Sequence, residues 1–101
     1  MTFLERHPSL PQAIESSKIL SDGQKKLLTI LVQFDAGVPI SQIMELMNSS
    51  KQTIHFNMKK LLKRGYVLRE KEMVFIYKAN QSKMVEILER EDQTNKAALP
   101  K

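Results

Sequence analysis

Between Ser49 and Lys71 the chain gathers side chains suited to hydrogen bonding and to holding negative charge. Two hydroxyls, Ser49 and Ser50, precede Lys51, Gln52 and Thr53, and then come His55, Phe56, Lys59, Lys60, Lys63, Arg69 and Lys71. A glutamine amide both donates and accepts, so Gln52 is matched to the edge of adenine, while Lys51 can donate to guanine O6 or N7. Hydroxyls and a helix amino terminus suit phosphate oxygens. Ammonium and guanidinium groups displace the counterions of a nucleic-acid backbone. This is the chemistry of recognition, in which no bond is made or broken.

Residues 51–71 carry Lys51, Lys59, Lys60, Lys63, Arg64, Arg69 and Lys71 against a single acid, Glu70, which is +6 in a chain whose total is +5. A positive stripe on a nearly neutral body is the footprint of a polyanion binder. The duller reading of a charge run is a solvated helix face. Here the stripe coincides with the residues able to read base edges, which favours the binder.

Catalysis has little to work with. The chain has two histidines, His7 and His55, far apart in sequence and without partners. Gly23, Gly37 and Gly65 are isolated, so no glycine-rich phosphate loop exists. Glu86, Glu89, Glu91 and Asp92 resemble an ordinary solvated helix end. With no cysteine there are no thiolate zinc sites, disulfides or thiol nucleophiles. The expectation is a non-enzyme with no metal and no organic cofactor. The lack of cysteine suits a reducing cytosol. No apolar run nears the roughly 20 residues that span a bilayer, and the start lacks a secretion-signal layout. A small cytoplasmic domain is expected.

The apolar pattern divides the 101 residues into short helices and one hairpin. Leu10, Ala13, Ile14 and Ser17 fall at helical spacing with Pro11 in the first turn, predicting a helix over 10–19. Ser21 reads as the N-cap of a helix holding Leu27, Leu28, Ile30, Leu31, Val32 and Phe34. That helix is apolar nearly all round, so it must be buried against more than one surface. Val38-Pro39-Ile40 reads as an extended connector or one-bridge strand. Ser41 is expected to cap a helix over 42–47 with Ile43 and Leu46 inward, ended by a left-handed Asn48.

Ser50 caps the next helix, over 51–64, whose inner face is Ile54, Met58 and Leu61 with Leu62 beside them; Gly65 stops it. Tyr66–Glu70 and Met73–Lys78 then form a β-hairpin around Lys71-Glu72. Asn80 caps a last helix over 81–90. Met44, Met47, Met58, Met73 and Met84 read as core filler. The expected layout is an arm at 1–9, one domain at 10–90 and a flexible tail at 91–101. The fold class is mainly α with a small β-hairpin wing (α+β), a winged helix-turn-helix.

The run from Ser50 to Val67 resembles the recognition helix and first wing strand of ArsR/MarR-type winged-helix proteins. The likeness lies in a polar helix start, aliphatics at Ile54, Met58 and Leu61, and then Gly65 with an apolar pair opening the wing. It covers about residues 20–90 and implies a winged helix that binds double-stranded DNA. The metal-sensing ArsR branch uses cysteine ligands, which this chain lacks. The wing tip, Glu70-Lys71-Glu72, is short and mixed in charge, so a strong grip by the wing is not expected. Phe56 stands where the family usually has a polar or basic residue. It can meet a thymine methyl, pack on the wing, or join two recognition helices across a two-fold axis. His55 can contact a base or be a solvated surface histidine. Thr53 can bind phosphate or steady the first helical turn.

Three functions follow as expectations. The first is sequence-specific binding of double-stranded DNA as a homodimer, in the manner of a transcriptional repressor. Dimerisation is expected because the helices at 10–19, 24–35 and 81–90 offer more apolar surface than a chain this small can hide alone. The second is a DNA-binding adaptor of a plasmid or phage partition system. The chain is similar in size and layout to TubR-like centromere binders, which recruit a tubulin-like cytoskeletal GTPase. The third is a winged helix that binds protein.

Overall fold

A computed structural model describes residues 2–71 and 73–98, with side-chain surroundings through residue 90. Two short helices, α1 (Phe3–Arg6) and α2 (Leu10–Glu15), lead into α3 (Asp22–Leu31). The expected arm therefore holds a helical turn. Phe3 is buried in the core, and its backbone N–H donates to the Asp35 carboxylate at 2.9 Å. The second helix ends at Glu15, short of the predicted residue 19. Past that point Ser17 Oγ accepts the Ile19 N–H at 3.4 Å, a local bond that competes with the helical ladder. Ser21 caps α3 as expected. Its Oγ accepts the Gln24 N–H at 3.3 Å, and Gln24 Oε1 accepts the Ser21 N–H at 3.2 Å, a reciprocal capping box.

Next come β1 (Val38–Pro39), α4 (Ile40–Met47) and α5 (Lys51–Lys63). Two expectations about α4 are corrected. Its N-cap is Pro39, with no side-chain hydrogen bond, and Ser41 lies inside the first turn. Leu46 is half exposed rather than inward. The face turned to the core holds Ile40, Ile43, Met44 and Met47, and Leu46 falls about 110° from its centre at 100° per residue. Asn48 ends α4 in the left-handed region, φ 50° and ψ 45°. Ser50 Oγ then accepts the Thr53 N–H at 3.2 Å and caps α5.

The hairpin is β2 (Val67–Lys71) and β3 (Phe75–Ala79), shifted slightly from the predicted bounds. Glu72, in the predicted tip, lies outside the described residues, and Met73 is exposed rather than core filler. The connector at Val38 is more than a single bridge. It pairs with β3, Val38 opposite Tyr77 and Pro39 opposite Ile76, to give an antiparallel sheet in the order β1-β3-β2. Gly37, at φ 97°, makes this approach possible, because a Cβ there would collide with the Ile76 side chain.

Helix α6 (Gln81–Ala98) runs past the predicted end at 90. The predicted flexible tail thus begins as helix, and residues 99–101 lie outside the described residues. Asn80 fastens the start of α6 to the end of α5. Its Nδ2 donates to the Gly65 carbonyl at 2.9 Å, and its Oδ1 accepts the Ser82 N–H at 3.2 Å.

One core joins these pieces. Leu27, Leu28 and Leu31 of α3 are buried, and α3 packs against α2, α4, α5 and β3. Each such leucine contributes about 2 kcal/mol. Much of the apolar surface expected to drive dimerisation is buried within the single chain, while Ile19 stays 46% exposed. Leu10, Ala13 and Ile14 of α2 are buried with Met84 and Ile87 of α6, since these two helices pack on one another.

Candidate nucleic-acid interface

Helix α5 turns Ile54, Asn57, Met58 and Leu61 inward. That burial decides what its other side shows. Lys51, Gln52, Thr53, His55, Phe56, Lys59, Lys60 and Lys63 are all exposed. Gln52, Phe56, Lys59 and Lys63 lie at the centre of the outer face. The helix contains no acidic residue. Its 13 residues make a rod of about 20 Å, which fits lengthwise in a major groove.

The hydroxyls have internal partners. Ser49 Oγ donates to the Met47 carbonyl at 3.3 Å and closes the turn between α4 and α5. Ser50 Oγ and Thr53 Oγ1 lie 2.9 Å apart, so both help to build the first turn of α5. The cap takes the Thr53 N–H, and the helix amino terminus around it has the polarity that suits an anion.

The wing borders this face. A groove of about 360 Å³ between α5 and the hairpin is lined by His55, Met58, Lys59, Leu62, Arg69 and Tyr77. Strand alternation sorts the wing's charges. In β2, Arg69 and Lys71 share a face with Phe75 and Tyr77 of β3, opposite which they pair. The Arg69 guanidinium carbon lies 4.8 Å from the Phe75 ring centroid and the Lys71 ammonium 5.7 Å from it. Glu70 belongs to the opposite face, where its carboxylate meets Lys78 Nζ at 2.7 Å. The wing is mixed in charge as a sequence and cationic on the side that borders α5.

The structure thus gathers the residues singled out from sequence around one helix and one side of a hairpin. Phe56 is 62% exposed, with Lys60 Nζ 4.4 Å from its ring centroid. It does not line the groove shared with the wing. Arg64 is turned aside from the outer face of α5, its Nη1 donating to the Ile19 carbonyl at 2.9 Å. A second groove, on the other flank of α5, brings Ser21 and Gln24 of the α3 cap beside Lys60, Lys63 and Arg64. In the sequence Ser21 shows only as a helix cap. No one-dimensional signal links it to residues about forty positions away. Among the described residues no cluster of three or more His, Asp or Glu side chains could hold a metal ion, and no helix is long and apolar enough to cross a membrane.

Residues 22–67 match the family described as winged helix-turn-helix DNA-binding. Three solved structures share the fold. The ST1889 protein of the thermoacidophilic archaeon Sulfolobus tokodaii is 16% identical, with 94% of this chain and 99% of that chain covered and a TM-score of 0.56. A mutant of S. aureus MepR is 15% identical over 96% of this chain and 78% of its own, at a TM-score of 0.59. A MarR transcriptional regulator from Methanosarcina mazei Go1 is 18% identical over 98% and 78%, also at 0.59. No curated protein sequence matches the chain.

Proposed function

We propose, from the match of residues 22–67 to the winged helix-turn-helix DNA-binding family, that the chain binds a specific double-stranded DNA sequence as a homodimer and acts as a transcriptional repressor. The observation that carries the reading is the outer face of α5, fully exposed, rich in lysine and free of acid, with Arg69 of the wing along its border. Gln52 and Lys51, in the first turn, supply base-edge contacts, while Lys59, Lys60, Lys63 and Arg69 supply phosphate contacts. The dimer is supported by geometry alone. One rod of about 20 Å covers a half-site, and two related by a two-fold axis read an inverted repeat.

Footprinting the purified protein on the DNA that flanks its own gene tests this. One short protected block with inverted symmetry is expected. A long, phased series of protected blocks would replace the repressor with a partition adaptor. Failure to retain any duplex at low ionic strength would overturn DNA binding itself.

A further inference from the structure

We infer that Phe56 reads the 5-methyl group of a pyrimidine, so that the preferred duplex carries thymine, or 5-methylcytosine, opposite the middle of α5. This rests on the duplex-binding reading above. Nothing in the fold requires an aromatic ring at this position. The inward places of α5 are filled by Ile54, Asn57, Met58 and Leu61, and Phe56 stands 62% exposed on the far side. Lys60 Nζ lies 4.4 Å from its ring centroid. Gln52 sits one turn earlier, and Lys59 and Lys63 flank it on the same face.

A phenyl ring has no hydrogen-bonding group, so it reads a base edge only through apolar contact. The apolar feature of a base-pair edge in the major groove is the pyrimidine 5-methyl. The ammonium held over the ring then stands beside the base being read, placed to reach the adjoining phosphate. A second copy of the chain is a poor occupant of this patch. Docking two such faces would set Lys51, Lys59, Lys60 and Lys63 of one copy against the same lysines of the other, with no acid in α5 to offset them.

The test begins by selecting tight duplexes from a random library with the intact protein. Each thymine is then replaced singly by deoxyuridine, which removes only the methyl. The expected result is a loss of about fourfold at one thymine per half-site and little change elsewhere. If that position is cytosine, methylating its C5 should tighten binding by the same factor. Phe56→Ala should bring the thymine-to-uracil ratio close to one, with the circular dichroism spectrum unchanged, and Phe56→Leu should restore part of the preference. Indifference both to deoxyuridine at every thymine and to C5-methylation at every cytosine overturns the inference, as does a Phe56→Ala protein that keeps the full methyl preference. Sedimentation showing that Phe56→Ala breaks a dimer while the thymine preference persists assigns the ring to a second copy and also overturns it. Tight duplexes that ignore the methyl sink this inference alone; recovery of no duplex sinks the DNA-binding reading with it.

Discussion

Gly23 lies directly against Asn57: a Cβ on Gly23 would stand 2.6 Å from Asn57 Nδ2 and 2.9 Å from its Cγ. Asn57 has little room to yield, being buried with its Nδ2 donating to the Thr53 carbonyl at 3.2 Å. This contact lets α3 approach α5 closely. Gly23→Ala is expected to destabilise the fold by about 1 kcal/mol, since overpacking costs about 1–3 kcal/mol and helix propensity returns less than about 1. Denaturant unfolding measures the loss. Adding Asn57→Ala should recover much of the loss due to Gly23→Ala, a non-additivity that strictly additive effects would refute.

Arg64 and Lys63 are adjacent cations with different work. Arg64 donates to the Ile19 carbonyl at 2.9 Å, while Lys63 lies on the outer face of α5. Arg64→Ala should lower stability by about 1 kcal/mol and leave the salt dependence of DNA binding nearly unchanged. Lys63→Ala should do the reverse. If the intact interface neutralises about six phosphates, log K falls against log salt with a slope near −5, and losing Lys63 should make that slope shallower by about 0.9. Affinity measured across a salt series, beside thermal unfolding, separates the two roles.

What could be read from the chain was what short-range chemistry decides. Ser21, Ser50 and Asn48 act within four residues of themselves, so their capping roles were visible in order and spacing. The inner face of α5 was visible because Ile54, Met58 and Leu61 repeat at helical intervals. Leu46 is not legible as exposed because an eight-residue helix offers two apolar stripes, and only packing against α3 and the sheet selects the one containing Met47. The pairing of Val38 with Tyr77 joins residues nearly forty positions apart, and no local pattern announces it. The separation of Glu70 from Arg69 and Lys71 needed the strand register, which the mixed tip sequence hid.

The hydroxyl of Ser50 serves the helix before it serves any ligand, accepting the Thr53 N–H at 3.2 Å. Ser50→Ala should therefore cost about 1 kcal/mol of stability, and Ser50→Gly only a few tenths. Because the cap sets the direction of the first turn, where Lys51 and Gln52 stand, Ser50→Ala should also weaken specific binding more than non-specific binding. Competition with unrelated duplex reads the difference. Equal weakening of both would mean that the hydroxyl acts as a phosphate ligand alone.

The two faces of the wing give a pair of substitutions with opposite outcomes. Arg69 borders the α5 groove, and Glu70, one residue on, faces away and meets Lys78 at 2.7 Å. Both partners of that ion pair are partly exposed, so Glu70→Gln should cost at most about 1 kcal/mol of stability. If the wing side facing α5 is the one that meets DNA, removing this acid should change affinity by less than about twofold at moderate salt, the remaining field being screened over about 10 Å. Arg69→Ala should weaken binding several-fold and make the salt slope shallower by about 0.9. Were Glu70→Gln to tighten binding as much as Arg69→Ala weakens it, the wing would be meeting the duplex edge-on, with both faces in reach of phosphate.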